Sequence, residues 1–265
     1  MENNKSIGLV LSGGGYKGLA HAGTLHFLEE KNITINALAG TSAGSIVSCL
    51  YASGMAPQDI LGFFKSVNLF NWQYFTFKKP GLLDVNYFDK FLVQIFGDKT
   101  LKDLNIPVYI TATDIAKGET HIFDFETKVV DAILASSAFP GVFSPYEIDG
   151  KLYSDGGILN NFPTNILREN FATIIGVNVC PIQTINKNQL SSIRAVTFRA
   201  YDLMTATQNI ARGKLCDWLI EPRELVKYST FERNKQKMDQ IYDIGYQTAQ
   251  NTYQENKDKI GKAIL

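Results

Sequence analysis

Gly40-Thr41-Ser42-Ala43-Gly44 fits the pattern G-x-S-x-G, with an apolar run before it and a helical pattern after it. A serine on a sharp strand-to-helix turn exposes its hydroxyl among neighbours small enough to admit a substrate carbonyl. The helix that follows aims its positive N-terminal end at the same place, which favours developing negative charge. That is the chemistry of nucleophilic acyl transfer, with Ser42 as the attacking group. The same five letters also describe a glycine-rich turn in which Ser42 merely caps a helix.

Gly13-Gly14-Gly15-Tyr16-Lys17-Gly18 is a second candidate, again between a strand and a helix. Three successive glycines let backbone N–H groups face an anion without side-chain obstruction. Gly13-x-Gly15-x-x-Gly18 formally matches a dinucleotide fingerprint, but that motif wants an acidic residue at the end of the second strand. Here that strand reads Asn36-Ala37-Leu38-Ala39-Gly40-Thr41 and runs into the serine turn. A phosphate-binding P-loop needs Gly-Lys-Ser/Thr, whereas Gly18 precedes Leu19. An oxyanion hole for Ser42, made by the amides of Gly13, Gly14 and Gly15, fits the neighbourhood best.

The base is the harder assignment. The chain has three histidines, His21, His26 and His121, and only His121 follows Ser42. A Ser…Asp…His order would have to draw on Asp84, Asp103 or Asp114, and His121 sits in an ordinary strand pattern. Asp155-Gly156-Gly157 offers a carboxylate at the end of a short strand, on a turn that two glycines keep tight. An unperturbed aspartate, with a pKa near 3.9, is a weak base. Desolvation would raise it toward a useful value. Asp-Gly-Gly is also a common turn with no chemistry at all.

These residues need a frame. Strands at 7–11 and 37–40 alternate with helices at 16–31 and 43–52, which points to βαβ units on a largely parallel sheet. Helices are expected at 58–67 and 87–96, the latter capped by Asp84. Paired strands at 107–114 and 119–125 turn at Lys117-Gly118, and a hairpin at 146–148 and 152–154 turns at Asp149-Gly150. A buried strand at 173–179 precedes helices at 192–214 and 235–262, with a short run at 218–220 between them.

At roughly 150 residues per domain, 265 residues make one large domain or two small ones. No Gly/Ser/Pro linker divides the chain, so one α/β domain over 1–265 is expected, with its motifs in 5–180 and a helical part at 190–265. Twenty-six Lys+Arg balance 26 Asp+Glu, which argues against a nucleic-acid binder relying on basic charge. Cys49, Cys180 and Cys216 are scattered and read as reduced thiols of a cytoplasmic protein, with no zinc-ligand spacing. No apolar run approaches the ~18 residues of a membrane span. Any membrane is therefore met peripherally, from the water side.

Taken in order, Gly-Gly-Gly-x-Lys-Gly, Gly-Thr-Ser-Ala-Gly and Asp-Gly-Gly resemble the patatin-like phospholipase family. Ala135-Ser136-Ser137-Ala138-Phe139-Pro140, Phe143, Pro145 and Asn161-Phe162-Pro163 extend the likeness around Asp155. The resemblance covers about residues 5–180. It implies a three-layer α/β/α sandwich with a mixed, mainly parallel sheet. It also implies Ser42 as nucleophile, Asp155 as base, Gly13–Gly15 as oxyanion hole and no cofactor or metal in the chemistry. Lys17, Gly18, Gly40, Gly44, Gly156 and Gly157 would support these motifs, and Lys17 stands where many members carry arginine. The substrate class implied is a lipid acyl ester: phospholipid, lysophospholipid or neutral lipid. A carboxylesterase or thioesterase on small soluble esters, or an idle member that binds lipid or a partner, are the alternatives.

Eleven of the 31 aromatic residues fall between Phe63 and Phe96, among them Phe70, Trp72, Tyr74, Phe75 and Phe77, with Lys78 and Lys79 beside them. The cluster reads either as a subdomain core or as a cap that lines an acyl-chain tunnel.

Overall fold

The computed structural model describes residues 6–67, 86–182 and 184–264. The first apolar run forms β1 (Ile7–Leu11), buried at every position, as a central parallel strand covered on both faces must be. A 3-10 turn over Gly15–Gly18 leads into α1 (Leu19–Glu30), so the single helix expected from residue 16 begins later and more tightly wound. β2 (Ala37–Thr41) runs directly into α2 (Ala43–Ala52). Pro57 opens α3 (Pro57–Ser66), where its missing N–H costs nothing, and α4 (Asn86–Phe96) follows.

β3 (Val108–Asp114) and β4 (Glu119–Ile122) turn through Gly118 at φ 71°. β5 (Tyr146–Ile148) and β6 (Lys151–Asp155) turn through Asp149 and Gly150, both at positive φ, as a tight hairpin turn requires. Between these hairpins lies α5 (Val129–Ser136), which the sequence reading missed. Its stretch is almost wholly apolar, and every residue of α5 but Asp131 is buried, so no amphipathic stripe marks it. Two short helices, α6 (Gly157–Asn160) and α7 (Thr164–Arg168), precede β7 (Thr173–Val177). The chain then forms α8 (Ile193–Gly213), β8 (Trp218–Ile220) and α9 (Lys235–Ile264). Asp84 and the aromatic residues from Phe70 to Phe77, with Lys78 and Lys79, lie outside the described residues.

All eight strands join one sheet in the order β5-β6-β3-β2-β1-β7-β8, with β4 also on β3. β3, β2, β1, β7 and β8 run parallel, while β4, β5 and β6 are antiparallel additions. Alternation along the strands separates two cores. Leu9, Leu11, Leu38, Ile110, Ile175 and Val177 face the larger one, built with α1, α2 and α5. Val10, Ala37, Ala39 and Ile174 face the smaller one, closed by Phe162 and Leu167. The fold is an α/β sandwich, a mixed, mainly parallel sheet with helices on both faces.

Two features fix the site. The loops after β1 and β2 leave neighbouring parallel strands at the same sheet edge, the usual place for a ligand in such sheets. The C-terminal helix α9 lies directly on α1. A β-carbon on Gly23 would come within 1.9 Å of the Tyr242 carbonyl oxygen, and one on Gly245 within 2.0 Å of that of Ala20. The two helices therefore meet backbone to backbone.

Candidate active site

Ser42 sits between β2 and α2 at φ 51° and ψ −122°, a conformation that a residue with a side chain rarely adopts. Gly40 and Gly44 make that turn possible. A β-carbon on Gly40 would lie 2.6 Å from the Gly44 backbone, and one on Gly44 would lie 2.2 Å from the Leu11 carbonyl oxygen. The Ser42 amide donates to Ser136 Oγ at 2.8 Å, and Ser136 Oγ donates onward to the Thr111 carbonyl at 2.7 Å. The Ser42 carbonyl accepts from the amides of Ser45 and Ile46 and from Ser45 Oγ. Backbone strain here is held by hydrogen bonds on both sides, and the hydroxyl is left facing a cavity.

The glycine loop lies against this turn. A β-carbon on Gly13 would meet Asn161 Oδ1 at 2.4 Å and Ser42 Cβ at 3.3 Å. The Gly13 amide donates to the Asn161 carbonyl at 3.0 Å, so it is already engaged. The amides of Gly14 and Gly15 reach no acceptor among the described residues, and both glycines line the cavity with Ser42. Of the three expected anion donors, these two have the free N–H groups. Gly15 has φ 57° and packs on Thr230, whose carbonyl takes the Tyr16 amide at 3.0 Å. A β-carbon on Gly18 would stand 2.8 Å from Ala43 Cβ, which seats the 3-10 turn on the start of α2. Lys17 lines the same cavity.

Asp155 ends β6, paired with Ala112 of β3. Its amide donates to the Ala138 carbonyl at 2.9 Å, and Oδ1 accepts the Gly157 amide at 2.7 Å. Oδ2 is buried without a hydrogen-bond partner. Burial pushes the carboxyl pKa up to about 6, while the Ser42 hydroxyl, the Gly157 amide and the Tyr201 phenol each pull it back down. Gly156 is required by closeness, since its β-carbon would lie 2.4 Å from the Thr111 carbonyl oxygen. Tyr201, in α8, was not singled out from sequence. Nothing in a helical pattern marks one tyrosine as facing a carboxylate.

A cavity of about 330 Å³ opens over Ser42 and Asp155, within the size range of small-molecule sites. Ile46, Phe64, Phe88 and Phe143 line it, as do Phe139, Phe198 and Phe231. Phe139 and Phe231 stack edge-on at 6.1 Å, with Phe198 at 5.2 Å from Phe231. The aromatic region from Phe63 therefore divides its roles: Phe64 and Phe88 reach the cavity, whereas Phe96 is buried in the main core with Phe63 and Phe91 packed against it.

No histidine lines this cavity. His121 lies on β4 against Phe123 and Tyr153, and His26 pairs with Glu30 at 3.4 Å. His21 is fully buried beneath the glycine loop, with Nε2 2.8 Å from the Ser12 carbonyl and Nδ1 unpaired. Burial lowers its pKa to about 4, so it is neutral at ordinary pH. All three cysteines are free, and Cys180 borders the cavity with Sγ 3.2 Å from the Gly13 carbonyl. Among the described residues no three His, Cys, Asp or Glu side chains converge as metal ligands, and no helix is long and apolar enough to cross a membrane.

A family model described as patatin-like phospholipase matches residues 9–168, more than half of the chain. Among curated relatives, lysophospholipase NTE1 of Saccharomyces cerevisiae is 30% identical over 189 residues, covering 67% of this chain and 11% of that protein. Human patatin-like phospholipase domain-containing protein 6 is 27% identical over 276 residues, covering 91% and 20%. An uncharacterised NTE-family protein of Mycobacterium tuberculosis is 28% identical over 244 residues, covering 82% and 42%. The chain thus spans less than half the length of these relatives. Among solved structures, VipD of Legionella pneumophila aligns with a TM-score of 0.58 at 14% identity, covering 95% of this chain and 67% of that one. Human GIVD cytosolic phospholipase A2, solved with methyl gamma-linolenyl fluorophosphonate, aligns with a TM-score of 0.54 at 10% identity, covering 98% and 59%. At such identities these two share the fold.

Proposed function

This chain belongs to the patatin-like phospholipase family, and on that ground we propose that it is a serine acyl hydrolase of lipid esters. Ser42 is the nucleophile and Asp155 its base. The observation that carries this reading is the buried Asp155 carboxyl, its Oδ2 unpaired, which feels the Ser42 hydroxyl and lines the same largely apolar cavity. A desolvated carboxylate with an open lone pair is a stronger proton acceptor than one in water.

In the first half-reaction Ser42 Oγ attacks the ester carbonyl carbon while its proton passes to Asp155. The carbonyl oxygen gains negative charge and is met by the free amides of Gly14 and Gly15 and by the positive end of α2. The tetrahedral intermediate collapses, the C–O bond to the alcohol breaks, and Asp155 returns the proton to that alcohol. A water molecule then attacks the acyl-enzyme and gives a proton to Asp155; as the bond from the acyl carbon to Ser42 Oγ breaks, Asp155 returns that proton to Oγ and the carboxylic acid leaves. The phenylalanine-lined cavity holds the acyl chain, and lipid is reached at a membrane surface.

Labelling with a fluorophosphonate tests the reading. Wild-type protein should be modified at Ser42, Ser42→Ala should not be, and Asp155→Asn should react much more slowly. A panel from acetate esters to lysophospholipids, phospholipids and triglycerides assigns the lipid class. Wild-type protein that neither labels nor turns over any of these would leave an idle binding protein. Acetate as the best substrate would leave a small-ester hydrolase.

A further inference from the structure

Tyr201 lies in α8, beyond the residues that the family model matches. Its hydroxyl rests on Gly157: a β-carbon there would come within 2.3 Å of Tyr201 Oη and 2.9 Å of Asp155 Oδ1. The second glycine of Asp-Gly-Gly thus has a reason that the turn alone does not supply. It leaves room for a phenol to reach the carboxyl group.

Several contacts hold the phenol there. Phe139 meets the Tyr201 ring edge-on, with centroids 4.7 Å apart. Phe139 directly follows Ala138, whose carbonyl takes the Asp155 amide at 2.9 Å, so ring support and carboxylate share one stretch of chain. α8 is tied to the segment after Asp155 by Gln208 Nε2 to the Ile158 carbonyl at 3.0 Å and Thr164 Oγ1 to the Arg212 carbonyl at 2.9 Å. Asn209 also donates to Asn178 Oδ1 at 2.9 Å.

We propose that Tyr201 is a positioning residue, whose hydroxyl donates to the Asp155 carboxylate and holds it aimed at Ser42. The inference rests on the reading of Asp155 as the base. The direction of donation is fixed by chemistry. An ionised carboxylate can only accept, and burial together with the neighbouring Asp155 charge keeps the Tyr201 phenol protonated well above the ordinary tyrosine range. The phenol in turn favours the ionised carboxylate, opposing the desolvation that would otherwise neutralise the base. α8 therefore completes a site whose motifs all lie earlier in the chain.

Tyr201→Phe keeps the ring against Phe139 and removes only the oxygen. The test measures fluorophosphonate labelling rates and kcat/KM on a short soluble ester from pH 4.5 to 9, beside thermal melts. For the variant, kcat/KM at neutral pH should fall about tenfold to a hundredfold, mostly in kcat, the range for losing a hydrogen bond to a charged group. The midpoint of the acid limb should move to higher pH, because the carboxylate has lost a group that stabilised its charge. A purely structural tyrosine would lower the melting temperature and leave the midpoint where it was, and that result overturns the proposal. Asp155→Asn separates the two levels. If it keeps wild-type rates, the base assignment itself fails. If it is inactive while Tyr201→Phe titrates like wild type, only the role of Tyr201 fails.

Discussion

Asp155 Oδ1 accepts the Gly157 amide at 2.7 Å, while the other carboxyl oxygen, Oδ2, is buried and unpaired. The rate and the stability of the protein should both carry the mark of that oxygen, in opposite senses.

With a pKa near 6 in the folded protein, kcat/KM should rise with pH through an apparent pKa near 6 and then level off. Asp155→Asn keeps an acceptor for the Gly157 amide and removes the base, so activity should drop about 10³-fold or more. The same variant should melt higher than wild type at pH 7. The carboxyl pKa is raised from its ordinary value near 3.9, so its contribution to stability is fully present below that value and is lost as pH climbs through about 6. Ionised Asp155 therefore costs on the order of 3 kcal/mol at neutral pH. A lower melting temperature for Asp155→Asn would contradict this.

His21 works the other way. Its folded pKa of about 4 lies below the ordinary histidine value near 6.5, so the unfolded chain takes up a proton first on acidification. Its contribution is present above pH 6.5 and lost as pH falls to about 4, again on the order of 3 kcal/mol. Between about pH 4 and 6 the two groups offset each other, and the wild-type stability profile should be shallow there. Asp155→Asn should expose the steep His21 dependence, which urea titrations at pH 4.5, 5.5 and 6.5 would reveal as a falling midpoint toward acid.

Replacing His26 and His121 together by Gln should leave turnover within about threefold of wild type, a change of under about 1 kcal/mol in the barrier. Neither ring borders the cavity. A large loss in the double variant would return a histidine to the chemistry.

Ser42→Ala and Ser42→Gly should both be inactive, by about 10³-fold or more. Their stabilities should differ from habit. Glycine usually costs up to about 1 kcal/mol relative to alanine in a helical region, but φ 51° suits glycine and strains alanine. Ser42→Gly should therefore unfold at a denaturant concentration no lower than Ser42→Ala. The reverse order would show that the turn is unstrained.

Chain-length preference should follow the cavity wall. Each buried methylene is worth about 0.8 kcal/mol, so kcat/KM on nitrophenyl esters should rise from acetate to octanoate. Phe143→Ala or Phe231→Ala should flatten that rise and leave acetate nearly unchanged, since both rings line the cavity. Equal losses on every ester, with a lowered melt, would make these rings scaffold only.

The parts of this site that a reader could find in the sequence are those that are local. Gly40, Ser42 and Gly44 carry their geometry within five residues, because a strand-to-helix turn with positive φ needs small neighbours. The hairpin at Asp149-Gly150 is legible for the same reason. Tyr201 is not, because its meaning arises only where α8 crosses Gly157. Nor could the Gly13 amide be told from those of Gly14 and Gly15, since Asn161 engages it from far along the chain. α5 escaped notice because burial of all its residues but Asp131 erases the periodicity that betrays a surface helix.

The closeness of α1 and α9 has a consequence for the timing of synthesis. The glycine loop leads into α1, α1 touches α9 through Gly23 and Gly245, and Thr230 supplies the carbonyl that receives Tyr16. A nascent chain emerged only as far as β7 would already carry the glycine loop, the serine turn and Asp155. It would lack the surfaces against which the first of these is shaped. The proposed hydrolytic activity should therefore arise only once α9 has emerged and docked on α1, and not as soon as Asp155 has been made.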